Sequence, residues 1–177
     1  VAGSGRVGLR EFTLGDLEAA QQYAGDPEVT RYLAWGPSQI AETYAFLEMS
    51  VAGIYALPRS LYDLGIVSSE TGQLIGALKL HLGPPQQKGA ELGYVVRRDF
   101  WGQGIATEAA RLGLELGFQG LGLHRISAFC STQNGASGRV LEKVGMRQEG
   151  LLRSHLMVHG QWHDSLAFAI LEDEWKS

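Results

Sequence analysis

Residues 95–107, VVRRDFWGQGIAT, pass from an apolar run through two arginines into Trp-Gly-Gln-Gly, and a stretch of helical character follows. Glycine is costly to order, so Gly102 and Gly104 at a helix start imply a need for the backbone itself. The first turn of a helix leaves N–H groups unpartnered and carries partial positive charge. Without side chains in the way, the amides of Gly102, Gln103, Gly104, Ile105, Ala106 and Thr107 can converge on a phosphate, with Arg97 and Arg98 adding charge at the edge. The plain alternative is a tight strand-to-helix turn that binds nothing. Two nucleotide motifs do not fit. GQGIAT lacks the Gly-Lys-Ser/Thr ending of the Walker loop, and Thr107 stands where the dinucleotide fingerprint needs its third glycine.

Other reactive groups carry less. His155, His159, His163 and Asp164 cluster in HLMVHGQWHD, but they straddle a turn and lack an open-site spacing such as H-E-x-x-H, so no metal is expected. Cys130 shares an apolar strand face with Ile126 and Ala128, which suits a buried structural thiol better than a nucleophile.

The elements that must position these groups follow from periodicity. VGLREFT reads as a strand, Thr13-x-x-Asp16 as a capping box, and LGDLEAAQQYA as a helix stopped by Gly25. Asp26 and Pro27 start a second helix, DPEVTRYL. Ser38 caps a third, with Ile40, Tyr44, Leu47 and Val51 at helical spacing. YDLGIV and QLIGALKLHL form a hairpin about SSETG, with Leu74, Leu78, Leu80 and Leu82 on one face and Lys79 and His81 on the other. AELGYVV is the next strand, and a helix runs on to about Phe118. HRISAFC is a strand, ASGRVLEKV a helix ended by Gly145, and LLRSHLMV and SLAFAIL are strands around HGQWHD. The expected order is β-α-α-β-β-β-α-β-α-β-β, a mixed α/β domain.

The 177 residues suit one domain, 1–177, with residues 1–5 expected as a flexible tail. A net charge of −4 gives no footprint for nucleic acid or an anionic membrane. A single cysteine fits a reducing cytoplasm.

ELGYVVRRDFWGQGIATEA, followed by NGASGRVLEKVGM, resembles the GNAT superfamily of acyl-CoA-dependent N-acetyltransferases. The branch most similar is that of the ribosomal-protein N-terminal acetyltransferases, with its Trp-Gly-x-Gly loop, Ala-Thr-Glu-Ala, and later Asn-x-x-Ser. LREFTLGDLEAAQQYAGDPEVTRYL and GQWHDSLAFAILEDEW resemble the two ends of that branch. The resemblance implies a GNAT fold, a mostly antiparallel twisted sheet with one splayed parallel strand pair. It implies acetyl-CoA as cosubstrate, its pyrophosphate on Gly102–Thr107 and its pantetheine bonded by backbone groups of Val95, Val96 and Arg97, an N–H near Val95 polarising the thioester. Asp99 departs from the family, which has Gln or Arg there.

The implied reaction is direct attack of a primary amine in a ternary complex. An α-amine costs about 1–1.4 kcal/mol to deprotonate at pH 7 and a lysine about 4.6, so an α-amine needs only a modest base. Glu91, on the strand beside the cofactor, is the candidate base, with a surface ion pair as its alternative; His81 is the second candidate. Many family members donate a proton to the thiolate from a tyrosine, but the corresponding slot here holds Leu141. The resembled branch carries a serine, mapping to Ser137, with Asn134 orienting pantetheine; the alternative is that both merely start a helix. Trp35 stands in a loop that borders the acceptor groove in this family, and core packing suits it equally. A protein N-terminal α-amine is the expected acceptor. A polyamine, amino acid or aminoglycoside, or a non-catalytic acyl-CoA sensor, stay open, as do monomer and homodimer.

Overall fold

A computed structural model describes residues 5–176, so most of the expected flexible tail, residues 1–4, lies outside the described residues. Among the described residues seven strands form one sheet: β1 (Val7–Glu11), β2 (Leu61–Ser68), β3 (Leu74–Leu82), β4 (Gly89–Val96), β5 (Arg125–Ser131), β6 (Arg147–Val158) and β7 (Gln161–Leu171). The α-helices are α1 (Leu17–Ala24), α2 (Pro27–Thr30), α3 (Ile40–Gly53), α4 (Ile105–Glu115) and α5 (Gly135–Lys143), three of them between β1 and β2 where the expected order counts two. The sheet order is β1-β2-β3-β4-β5-β7-β6, antiparallel throughout except for β4 and β5. That parallel ladder covers only Gly89–Glu91 against Arg125–Ser127. Beyond it the two strands run apart, the splayed pair that the resemblance implies.

Alternation along the strands builds two cores, one on each face. Leu78 and Leu80 of β3 and Ala90, Leu92 and Val96 of β4 pack under α4 and α5 with Ile126, Ala128 and Phe168. Helix α4 sits very close to the sheet, because a Cβ on Gly113 would stand 2.8 Å from Leu92 Cδ1. On the other face Phe12, Ala20, Tyr23, Leu47 and Leu74 join α1 and α3 to the sheet. Leu74 thus departs from the face expected for it. The register shifts between Ile66 and Val67, and this bulge turns Leu74 away from Leu78 and Leu80.

The capping pattern at Thr13 holds: its N–H donates to Asp16 Oδ2 at 2.8 Å, and Arg10 bonds both Asp16 oxygens, tying β1 to the start of α1. Burial alone would raise the Asp16 carboxyl, but Arg10 and Thr13 outweigh it and hold it below its usual range. Helix α2 starts as expected, with Asp26 accepting from the Glu28 N–H, yet it lasts one turn. The cap of α3 is Gln39 rather than Ser38, because the Ser38 N–H is bonded to Ala24 O and its carbonyl accepts from Gln21. The buried face of α3 is also turned from the expected one. Thr43, Leu47 and Ser50 are buried while Ile40 and Tyr44 stay exposed. The Thr43 hydroxyl donates to Gln21 Oε1 and that of Ser50 to Phe46 O, so both are buried at little cost. Between β6 and β7 the turn is only His159–Gly160, both at positive φ, as a two-residue hairpin requires.

Candidate active site

The glycine loop has the backbone its sequence suggests. Gly102 and Gly104 lie at φ +72° and +79°, where side chains are strained, and Gly104 is the N-cap of α4. The Glu108 N–H reaches Gly104 O, so the N–H groups of Ile105, Ala106 and Thr107 have no acceptor within the helix. A Cβ on Gly102 would meet no heavy atom of the described residues within 4 Å, so they leave the loop open there. Trp101 Nε1 donates to Val96 O at 2.7 Å and Gln103 Nε2 to Asp99 O at 2.9 Å, which fixes the loop from within. Asp99 is gripped by Arg97 at 2.7 Å through both oxygens, and this bonding holds its carboxyl below the usual range. The Asp99 charge is therefore already partnered, and the bare amides beside it suit a pyrophosphate.

The loop stands where β4 and β5 have separated. The Arg97 N–H donates to Ile75 O of β3 at 2.8 Å. A Cβ on Gly76 of β3 would stand 2.3 Å from Val95 O, so Val95 also points its peptide groups at β3. By alternation the groups turned toward β5 are those of Leu92, Tyr94 and Val96, and Ala90 O accepts there from Ser127 Oγ. Of the three residues expected to bond pantetheine, only Val96 faces the gap. Tyr94 joins it, and Val95 and Arg97 do not.

Asn134 and Ser137 come together at the start of α5, where Asn134 Oδ1 accepts from the Ser137 N–H at 3.1 Å as a helix cap. The Tyr94 hydroxyl reaches across from β4, 3.0 Å from Ser137 Oγ and 3.3 Å from Ser137 O. Burial pushes that phenol up to about 12, against a smaller lowering by Ser137, so it keeps its proton at neutral pH. Sequence reasoning missed Tyr94. The signal was available: in ELGYVV it alternates with Leu92 and Val96, so a hydroxyl-tipped ring had to enter the buried face.

Glu91 points to the opposite face, with Lys79 Nζ 3.8 Å from its Oε1. The register sets His81 beside Glu91, Lys79 beside Gly93 and Asp63 beside Lys79. Burial raises the Asp63 carboxyl, although Lys79, Ser50, Arg59 and His81 all pull it down. Across the gap Phe129, between Ala128 and Cys130 of the buried face, points to the same side of the sheet as Glu91, its ring tilted 46° to that of His155 at 5.1 Å.

A sequence model described as "Acetyltransferase (GNAT) domain" matches residues 6–147. This chain belongs to the GNAT acetyltransferase family. This N-acetyltransferase is 31% identical to YnaD of Bacillus subtilis (strain 168), an uncharacterized N-acetyltransferase, over 96% of each chain. It is 25% identical to the spermidine N(1)-acetyltransferase of Escherichia coli (strain K12), over 96% of this chain and 88% of that one. A solved structure of Mycobacterium smegmatis RimJ in complex with CoA-disulfide superposes with a TM-score of 0.85 at 28% identity, covering 97% of this chain and 84% of that one. GNAT acetyltransferases use acetyl-CoA.

The remaining singled-out residues of this GNAT chain are spread out. Cys130 is buried against α5, and burial raises its thiol. Asp164 accepts from the Ser154 N–H at 2.8 Å, bracing a bulge in β6. No group of three or more His, Cys, Asp or Glu among the described residues is arranged to hold a metal. Trp35 is 44% exposed, outside both cores, so packing does not account for it. Among the described residues no helix is long and apolar enough to cross a membrane.

Proposed function

We propose that this chain moves acetyl from acetyl-CoA to a protein N-terminal α-amine by direct attack in a ternary complex. The observation that carries the reading is the β4–β5 gap, flanked by the Gly102–Thr107 amides, by the Ser137–Tyr94 hydroxyls on one face and by Glu91 on the other. When bound, acetyl-CoA supplies a thioester whose carbonyl carbon accepts the amine lone pair and whose thiol leaves. The Gly102–Thr107 amides would hold its pyrophosphate, and the amide of Asn134, whose oxygen is spent on the helix cap, would meet pantetheine. The N–H of Tyr94 or Val96, turned into the gap, replaces that of Val95 as the donor that polarises the carbonyl. Glu91 takes the proton of the acceptor ammonium, directly or through water. Ser137 gives a proton at the sulfur, with Tyr94 held against its hydroxyl.

Direct attack is favoured over an acyl-enzyme because Cys130 is buried and burial raises its thiol, which keeps it from the reactive thiolate form. A single buried cysteine also fits the reducing cytoplasm we propose as its compartment. The likeness to a spermidine N(1)-acetyltransferase supports a polyamine as the second reading. The test is thiol release from acetyl-CoA against peptides with free N-termini, N-blocked lysine peptides, polyamines and aminoglycosides, with calorimetric CoA binding alongside. Turnover confined to free N-termini is expected. CoA binding with no turnover on any amine would sink the catalytic reading.

A further inference from the structure

Asp63, Lys79 and Glu91 form a row of charge across β2, β3 and β4, on the face opposite α4 and beside the gap. Its centre is Lys79. Glycine at position 93 leaves room over β4, and Lys79 Cε lies 3.8 Å from where a Cβ on Gly93 would stand. The lysine stem therefore crosses β4 at Gly93, and its ammonium comes to 3.8 Å from Glu91 Oε1. An amine that reaches Glu91 therefore comes up against that ammonium. On the other side the register sets Lys79 directly against Asp63 of β2, and Lys79 is the strongest charge pulling the Asp63 carboxyl down against its burial. Arg59 is not available to neutralise the row, since both its terminal nitrogens are bonded to Glu11 at 2.7 and 2.9 Å.

Two carboxylates thus share one ammonium, with the His81 imidazole set beside Glu91 by the register, so the carboxylates of the row outnumber its ammonium by one. An acceptor with a single ammonium makes it neutral: the substrate amine takes Glu91, and Lys79 turns to Asp63. A di- or polyamine brings its second cation next to Lys79, with no third carboxylate on the row to pair it. Lys79 and Glu91 are each nearly half exposed, so solvent moderates the repulsion between like charges but does not remove it at contact distance.

We propose that Lys79 is the specificity-determining residue of the acceptor site, admitting singly charged amines to Glu91 and rejecting di- and polyamines. The proposal rests on the acetyl-transfer reading, with Glu91 meeting the acceptor amine, and it names the class of acceptor that reading leaves broad.

The test compares wild type, Lys79→Met, which keeps the stem and removes the charge, and Lys79→Arg, which keeps the charge. Two acceptors are used, a short C-terminally amidated peptide whose only charge is its free N-terminus, and 1,4-diaminobutane. Thiol release gives kcat and KM for each, and calorimetry on the CoA-saturated protein gives each acceptor's affinity without turnover. Wild type is expected to favour the peptide. Lys79→Met should move the diamine-to-peptide ratio of kcat/KM at least about tenfold toward the diamine, through KM, with the same shift in the binding ratio, and Lys79→Arg should keep the wild-type ratio. An unchanged ratio in Lys79→Met, a wild type that prefers the diamine, or a wild type that binds neither amine would overturn it. Absence of turnover with a binding ratio that still shifts would instead remove the acetyl-transfer reading and leave the gate standing.

Discussion

Substituting Gly102 and Gly104 one at a time by alanine separates the strain in the loop from its use. Both glycines sit at positive φ, where a Cβ costs about 1–2 kcal/mol. For a chain of this length that lowers Tm by about 2–8 °C. Gly104→Ala adds one contact, its Cβ falling 3.0 Å from Arg6 Nη2, the far end of an exposed side chain that this same atom pairs with Glu108 at 2.8 Å. Gly102→Ala adds none among the described residues, where nothing stands within 4 Å. Without ligand the two variants should therefore melt within a few degrees of each other. Saturating CoA should separate both from wild type. At a concentration one hundred times the wild-type Kd, binding stabilises by about 2.7 kcal/mol, and a tenfold weaker site leaves about 1.4. The methyl at position 102 enters the open side of the loop, where a pyrophosphate would lie. Paired melting curves with and without CoA, with Kd by calorimetry, read both effects. If either variant kept a Kd within twofold of wild type, the glycines would be serving the turn alone, and the phosphate assignment would fall.

Tyr94→Phe should lower kcat by about tenfold or more with CoA affinity unchanged, and Ser137→Ala should give no further loss beside it, because the two hydroxyls act as a unit; additive losses would separate them. Tyr23→Phe should raise Tm, since that hydroxyl is buried without a hydrogen-bond partner, by an amount near the roughly 1 kcal/mol cost of an unmade bond; a lower Tm would reveal a partner. Asp16→Asn should destabilise by about 2 kcal/mol at pH 7, a value discounted because Arg10 is part-exposed. The Asp16 carboxyl is depressed in the fold, so its contribution is present above the ordinary aspartate range and fades as pH falls through the lower folded value; Tm difference against pH checks this. Asp63 has the opposite sign. Burial raises its folded pKa, so Asp63→Asn should stabilise at neutral pH, with the gain vanishing below about pH 4, and a gain that persisted in acid would refute the assignment.

Features encoded within a few residues were legible before any coordinates. The Thr13-x-x-Asp16 cap, the Asp26-Pro27 start and the glycine loop are local chemistry, and each stands in the fold as read. The resemblance extended that reach to the splayed strands, which no window of sequence displays. What stayed hidden depends on who sits beside whom. Ser38 is by type a better cap than Gln39, and its bonds to Ala24 O and from Gln21, which sequence does not show, remove it. The face of α3 was misjudged by counting apolar residues, since Thr43 and Ser50 are buried through bonds to Gln21 and Phe46 that composition does not reveal. Leu74 obeys its alternation until a bulge in the neighbouring pairing reverses it.

The same distinction governs the candidate site. Its cofactor half is a strand, a loop and a helix start in unbroken sequence, so motif and geometry agree there. The acceptor half we propose is assembled sideways, from Asp63, Lys79 and Glu91 on three strands, and no spacing along the chain links them. A resemblance to a family carries the first half well, because a pyrophosphate asks every member for the same amides. It carries the second poorly, since one residue on β3 can change the charge of the row while leaving loop, gap and fold intact. Relatives that accept different amines are therefore expected to differ along this row and to agree at Gly102–Thr107. The swap of Lys79 is the smallest change that tests whether acceptor choice is written there.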